Sequence, residues 1–401
     1  TFYRSMHGGM KMNNYKTLSQ LEHTGSYLVR LLSAILHEQE VSPLPDGLTW
    51  EDIYQLAKNH SVEAMAFYGA QNFIKTNTQL YTAWKRKKDA NIAQSLLQSE
   101  ACNEIFHSFH LANIRFLPLK GYNLKQLYKQ PEFRQMSDID ILIDPQDSLQ
   151  VKVIMEHLKY EPHLDSPSYH DEYLKPPWIM IEIHKHLLPV DDPRYSYYQN
   201  IWAKASQDPQ IPGCWKISYE DFYIFMIVHL EKHYRWNGSG IRSVMDIYVY
   251  LNQFKKTMNW TYIKNELQQL GLYDFSVKIE SLSDYWFSDT CFRNEVPDME
   301  NELKEMQLNI FLSGVYGSKE FKKLETMNNI HIEHGTLPKI KYILKRMFMN
   351  KKALAHSYPL LNKYPFLLPF FWLHRFGHAI FLKQSAIRRE LELFKMKSHR
   401  K

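Results

Sequence analysis

Cysteine is scarce in this 401-residue sequence, with only Cys102, Cys214 and Cys291, far apart and odd in number. Three such residues build neither a disulfide framework nor a cysteine-based zinc pattern, and a reducing, cytoplasmic setting is the simpler expectation. A long uninterrupted apolar run is also missing. The most apolar window, residues 358–382, is broken by Pro365, Pro369, His374, Arg375 and His378, which excludes a transmembrane span on length. The opening "TFYRSMHGGMKMNNYK" has no apolar core of the kind a signal peptide carries. Residues 1–15 are therefore expected to be a disordered or expression-derived leader. No segment repeats at a fixed period.

What remains is ordinary globular material: 44% hydrophobic and 23% charged residues, which argues against global disorder. Aromatics are plentiful, with 26 Tyr, 22 Phe and 9 Trp. The net charge of +6 hides an asymmetry. Residues 337–401 hold fifteen Lys and Arg against Glu390 and Glu392, so the preceding residues are net acidic. The basic tail is a local feature.

Residues 16–110 read as a helical region. "SYLVRLLSAILHEQ" has helical apolar spacing. Thr49 caps the stretch after it, with Glu51 and Asp52 in the first turn. "LYTAWKRKKDANIAQSLLQSEACNEIFHSFHLANI" lacks Gly and Pro and predicts one long helix. Residues 111–215 change texture to a small α/β core. "IRFLPLKG" predicts a strand ended by a glycine turn, "YNLKQLYK" a short helix, and "SDIDILID" a half-buried strand by its period of two. Pro145 opens a helix, and strands around Pro176-Pro177 are expected to be antiparallel. Residues 216–401 return to helix, starting with Ser218 as N-cap and ending in the basic tail. The fold class is thus α+β: a small mixed-sheet core flanked by N-terminal and C-terminal helical regions.

The core carries the chemistry. Alternate side chains of a strand face opposite ways, so Asp138 and Asp140 share one face while Ile139, Ile141 and Ile143 share the other. Two carboxylates so placed sit roughly 7 Å apart at their Cα atoms and can converge on hard cations. A pair of such ions clamps the attacking and leaving oxygens of a phosphoryl or nucleotidyl transfer. "WIMIEIHKHL" repeats the alternation, with Glu182 and His184 on one face. If that strand lies beside the Asp-Ile-Asp strand, Glu182 supplies a third carboxylate, as metal ligand or as base. An Asp-x-Asp alone is also common on exposed strand faces; the second acidic strand, the Lys-Gly pair and Arg134 are what favour a site.

The run "FLPLKG…LY…R…SDIDILI" followed by "IEIH" resembles the DNA polymerase β-like nucleotidyltransferase superfamily. Within it, the stretch looks most like a branch of uncharacterised bacterial nucleotidyltransferases. "IYQLAKNHSVEAMAF" and "SYEDFYIFMIVHLEKHY…GIRSVMDIYVYL" look like that branch's flanking helices, so the resemblance spans about residues 49–250. It implies that Asp138 and Asp140 bind two catalytic Mg²⁺ or Mn²⁺ ions and that Glu182 is the third acid. It implies a nucleoside triphosphate substrate, ATP by default, with Gly121 admitting the phosphates and Lys120 and Arg134 pairing with them. Many superfamily members have Gly-Ser or Gly-Gly where this chain has Lys120-Gly121-Tyr122, and the third acid is more often Asp. Tyr122, His184 and Arg242 are secondary candidates.

Other features have plainer alternatives. His229 and His233 share a helix face, as a zinc pair would, but Leu230 stands where a zincin has Glu, and packing explains the pair as well. Arg242 and Asp246 are spaced for a helical ion pair, whether facing a nucleotide or buried. The basic, aromatic tail suits packing, an anionic membrane surface or nucleic acid. The sequence thus predicts an enzyme that moves a nucleoside monophosphate to an acceptor hydroxyl. Two rivals stay open: a phosphoryl transferase or phosphohydrolase using the same carboxylates, and a catalytically silent scaffold or nucleic-acid-binding protein. The acceptor, a small molecule, protein or nucleic acid, is not chosen by fold.

Overall fold

In the computed structural model, the described residues are 18–163, 169–177, 179–236, 238–288 and 299–315, with 366, 368–370 and 372 near the end. Residues 1–15, Cys291 and nearly all of the basic tail lie outside them. Two units are distinguished, Thr1–Lys322 and Lys323–Lys401. The first holds the sheet and every helix from Leu18 to Ser313.

The N-terminal part consists of four helices: α1 (Leu18–Leu36), α2 (Trp50–Asn59), α3 (Glu63–Ala70) and α4 (Gln79–Leu111). Thr49 caps α2, its hydroxyl oxygen accepting from the Asp52 amide at 3.1 Å. The stretch after Thr49 is split at Ser61, whose φ of 52° lies in the left-handed region and separates α2 from α3. The long helix predicted from the absence of Gly and Pro is α4, 33 residues.

The core comes next: β1 (Phe116–Pro118), α5 (Lys120–Lys125), β2 (Ile139–Ile143), α6 (Ser148–His157), β3 (Glu161–Pro162), β4 (His170–Lys175) and β5 (Ile179–His184). The five strands form one mixed sheet in the order β1-β2-β5-β4-β3. β3, β4 and β5 are antiparallel as expected, but β5 runs parallel to β2. Parallel neighbours need a crossover, and here α6 and the β3–β4 strands make it. Ile139, Ile141, Ile143, Ile181 and Ile183 pack on Phe106, Phe109 and Phe116, with Val151 and Met155 of α6. This apolar layer pins the register, since a one-residue slip would turn every isoleucine to the opposite face.

Lys120-Gly121 differs from its expectation. The pair is not a glycine turn but the first turn of α5, and Gly121 is not among the glycines with positive φ. Space is tight there: a Cβ would meet Met136 Sδ at 3.0 Å and Arg134 Nη1 at 3.3 Å.

Beyond the sheet come two short helices, α7 (Tyr195–Tyr198) and α8 (Ile201–Lys204), and a hairpin of β6 (Ala205–Gln207) and β7 (Trp215–Ile217). Among the described residues five longer helices follow: α9 (Tyr219–Trp236), α10 (Ile241–Phe254), α11 (Trp260–Gln269), α12 (Tyr273–Phe287) and α13 (Asn301–Ser313). Ser218 caps α9, its Oγ accepting from the Asp221 amide at 3.0 Å. α12 and α13 pack back on α1, so helices from before and after the sheet are in contact.

Candidate active site

Register places the carboxylates. Asp140 of β2 lies directly opposite Glu182 of the parallel strand β5, and Glu182 lies opposite Glu172 of β4. Residues paired across a ladder point to the same face. The three acids therefore form a row across three strands, on the face away from the isoleucine core. The next row along β5 and β4 pairs His184 with His170. Asp138, just before β2, adds a further carboxylate on the Asp140 side; the Ser137 hydroxyl donates to its Oδ1 at 3.1 Å.

These groups are tightly bonded to one another. His184 Nε2 donates to Asp140 Oδ1 at 2.8 Å and lies 3.4 Å from Glu182 Oε2. His170 Nε2 lies 3.2 Å from Glu172 Oε1 and 3.8 Å from Glu182 Oε2. Burial alone would depress the His184 pKa, but its bonds to Asp140 and Glu182 raise it above the usual imidazole value. Asp140 is pulled the other way from burial by Lys120 and His184, which hold it well below the usual carboxylate range. Asp138 is pushed up to about 6, by burial first and then by the negative charges of Asp140 and Glu182. A carboxylate held up by like-charged neighbours is a group that a bound cation would stabilise. Asp138, Asp140 and Glu182 are carboxylates, the donor type that Mg²⁺ and Mn²⁺ prefer.

Helix α9 faces this cluster. The Lys120 ammonium lies 5.4 Å from the Phe225 ring centroid, and that of Lys232 lies 5.9 Å from the Tyr169 ring, beside His170 and His184. His229 and His233 are bonded to each other, Nε2 to Nε2 at 2.9 Å. Burial, followed by the positive charge of Lys120, depresses both; His233 falls to about 4. Among the described residues no third ligand joins them in a metal cluster. Glu231, between them in sequence, instead pairs with Arg194 and Arg235.

Of the other predicted residues, Arg134 is buried, with Nε and Nη2 on the two carboxylate oxygens of Asp246 at 2.8 and 2.9 Å and Nη1 reaching the Gly121 carbonyl at 3.5 Å. Asp246 also accepts from the Tyr128 hydroxyl at 2.8 Å. Arg242 Nη1 donates to the Gln135 carbonyl at 2.7 Å. Arg134 is thus the partner that this structure gives Asp246, where the helical spacing suggested Arg242. Tyr122 is not brought to the carboxylates. Its ring meets Phe106 edge-on at 5.2 Å and joins the apolar core, which raises its hydroxyl to about 12.

Sequence reasoning missed His170 and Glu172. Their signal was present: "HDE" at 170–172 and "EIH" at 182–184 are reversed copies of one spacing. An antiparallel hairpin sets such copies face to face, His to His and Glu to Glu.

The family described as uncharacterised nucleotidyltransferases matches residues 46–288, which contain the whole sheet and α9. The chain belongs to this family. Its enzyme class is therefore nucleotidyl transfer, as the carboxylate row suggested. No curated protein matches. Two solved structures are similar over about half of the chain. One is the antibiotic-resistance factor ANT(2'')-Ia, with 11% identity, 48% of this chain and 97% of that one covered, and a TM-score of 0.31. The other is an antigenic nucleotidyltransferase-like protein from Paracoccidioides brasiliensis, with 16% identity, 47% and 91% covered, and a TM-score of 0.28. Among the described residues of this nucleotidyltransferase no helix is long and apolar enough to cross a membrane.

Proposed function

We propose that this nucleotidyltransferase moves a nucleoside monophosphate from a Mg²⁺-bound nucleoside triphosphate, ATP by default, to an acceptor hydroxyl. The observation that carries the reading is the register of β2 against β5, which sets Asp140 opposite Glu182 with Asp138 alongside. Divalent ions held by these three carboxylates would supply Lewis acidity and charge neutralisation. The acceptor oxygen forms a bond to the α-phosphorus as the bond to the bridging oxygen of pyrophosphate breaks, and pyrophosphate leaves with that electron pair. Where Glu182 does not hold an ion, it is the base that receives the acceptor's proton.

The other residues hold these groups in place. His184 fixes one oxygen of Asp140 by its 2.8 Å bond, leaving the other for a cation. Lys120 sets a positive charge between the carboxylates and α9 and serves the triphosphate. Arg134, committed to Asp246, positions α5 through the Gly121 carbonyl. The acceptor enters between the sheet and α9, where Lys232, His229 and His233 stand. The chain acts as a soluble, cytoplasmic enzyme, and the basic residues of its C-terminal sequence would meet an anionic surface.

The test is incubation with α-labelled nucleoside triphosphates, Mg²⁺ or Mn²⁺ and fractionated cell extract, beside Asp140→Asn. Label transferred to an acceptor by the wild type alone supports the reading. Release of γ-phosphate without transfer of label would mark a phosphohydrolase or phosphoryl transferase instead. Metal-independent RNA binding unchanged by the substitution, with no turnover, would mark a silent binding protein.

A further inference from the structure

The two histidines beside the carboxylate row form, with Glu182, a donor set of a different chemistry. We propose that His170, Glu182 and His184 bind a borderline transition-metal ion such as Zn²⁺ or Co²⁺, at a site adjacent to the oxygen-only Asp138/Asp140 pair. It is the only cluster of three or more potential metal ligands among the described residues whose donor atoms all lie within 4.8 Å of one another.

The distances suit such an ion. Glu182 Oε2 lies 3.4 Å from His184 Nε2 and 3.8 Å from His170 Nε2. A tetrahedral ion with bonds of about 2.0–2.1 Å separates its ligands by roughly 3.3–3.4 Å. The first of these edges is already met and the second needs a contraction of a few tenths of an ångström, while the third, between the two imidazoles, lies within 4.8 Å. Taking the ion, His184 Nε2 would give up its proton and its bond to Asp140 Oδ1. Two imidazoles and one carboxylate, with a fourth position left for water or substrate, are a donor set that zinc accepts in catalytic sites. Imidazole nitrogen discriminates against Mg²⁺, which takes oxygen.

The framework is prearranged. His170 and His184 are directly paired across the β4–β5 ladder, and so are Glu172 and Glu182. Both rings are buried, at 4% and 6% exposure. Neither Nδ1 has a hydrogen-bond partner, so both rings are oriented from the Nε2 side alone, toward Glu182 and the carboxylates flanking it. Those flanking groups, Asp140 and Glu172, add negative charge around the site. Glu182 would then join the two centres and couple occupancy of one to the other.

Co²⁺ titration of the metal-stripped full chain, monitored by its visible absorption, tests the site without nucleotide or acceptor. Wild type is expected to give a nitrogen-ligand Co²⁺ spectrum saturating at one equivalent, and excess Mg²⁺ should leave that spectrum in place. His170→Ala should weaken binding about tenfold or more, while Asp138→Asn should keep the spectrum. His184→Asn serves as a second variant, and circular dichroism verifies that each variant is folded. No Co²⁺ spectrum in the wild type, its displacement by Mg²⁺, or retention of wild-type affinity in both folded histidine variants would overturn the site. A failed titration leaves the transfer reading standing, because transfer is read with labelled nucleotide and Mg²⁺; absence of transfer likewise leaves the Co²⁺ result intact.

Discussion

Arg134 and Asp246, 112 positions apart in sequence, meet in a buried two-point ion pair with N–O distances of 2.8 and 2.9 Å. Arg134 leads from the loop after α5 toward β2, and Asp246 sits on α10. The pair therefore ties the sheet that carries the carboxylates to the helices that come after it. Asp246→Ala is expected to cost about 3–5 kcal/mol, because it leaves a buried guanidinium uncompensated. Replacing both partners by apolar residues of similar volume should cost less than this single change. Urea denaturation of the single and double variants measures the difference; equal losses would remove Arg134's buried charge as the cause.

The space at Gly121 gives a second expectation. A methyl group there meets Met136 Sδ at 3.0 Å and Arg134 Nη1 at 3.3 Å. Gly121→Ala should destabilise by about 1–3 kcal/mol through overpacking. Because Met136 is the nearest neighbour, Met136→Ala added to Gly121→Ala should recover part of the loss. If the double variant is no more stable than the sum of the single ones predicts, the contact is not the cause.

Lys120 is the positive group common to Asp138 and Asp140: its charge lowers the pKa of both. Under the proposed reaction, Lys120→Met should reduce kcat/KM for the nucleotide by on the order of 10–100-fold, with Lys120→Arg retaining more activity. Steady-state kinetics against nucleotide concentration would show it. A loss confined to the acceptor's KM would assign Lys120 to the other substrate.

Acid stability should depend on His60, which is not one of the carboxylate cluster's bonded partners. It is fully buried, and its Nδ1 accepts from the Ile241 amide at 3.0 Å. Burial lowers its pKa from 6.5 to about 4. The folded state therefore keeps His60 neutral where the unfolded chain takes up a proton. This contribution is intact above pH 6.5 and is lost as pH falls from 6.5 toward 4, about 3 kcal/mol in all. His60→Asn, which keeps an acceptor for Ile241, should flatten the stability profile in that window. Thermal melts from acid to neutral pH compare the two; parallel profiles would dismiss His60 as the source.

Parts of the site were legible because strand alternation is a local rule. The shared faces of Asp138 with Asp140, and of Glu182 with His184, come from a period of two, with isoleucines marking the buried side. Thr49 and Ser218 were equally legible as helix caps, since capping needs only a few neighbouring residues. Lys120-Gly121 was misread as a turn because glycine signals conformational freedom in sequence, whereas here it answers a steric demand from Met136. Helical spacing also proposed Arg242 for Asp246, and it could not weigh a competitor as distant as Arg134.

The sequence alone determined which faces of β2 and β5 carry acid and which carry isoleucine, because side-chain direction along a strand depends only on parity. It also determined the helical character of the flanks, because apolar spacing and the absence of breakers act over short range. Only the tertiary structure decided that β5 lies parallel beside β2, setting Glu182 against Asp140. Only it decided that β4 folds His170 and Glu172 back onto that row, and that Asp246 takes Arg134. Those pairings depend on long-range packing of the isoleucine layer and on burial of charge, and neither is a property of any one segment of the chain.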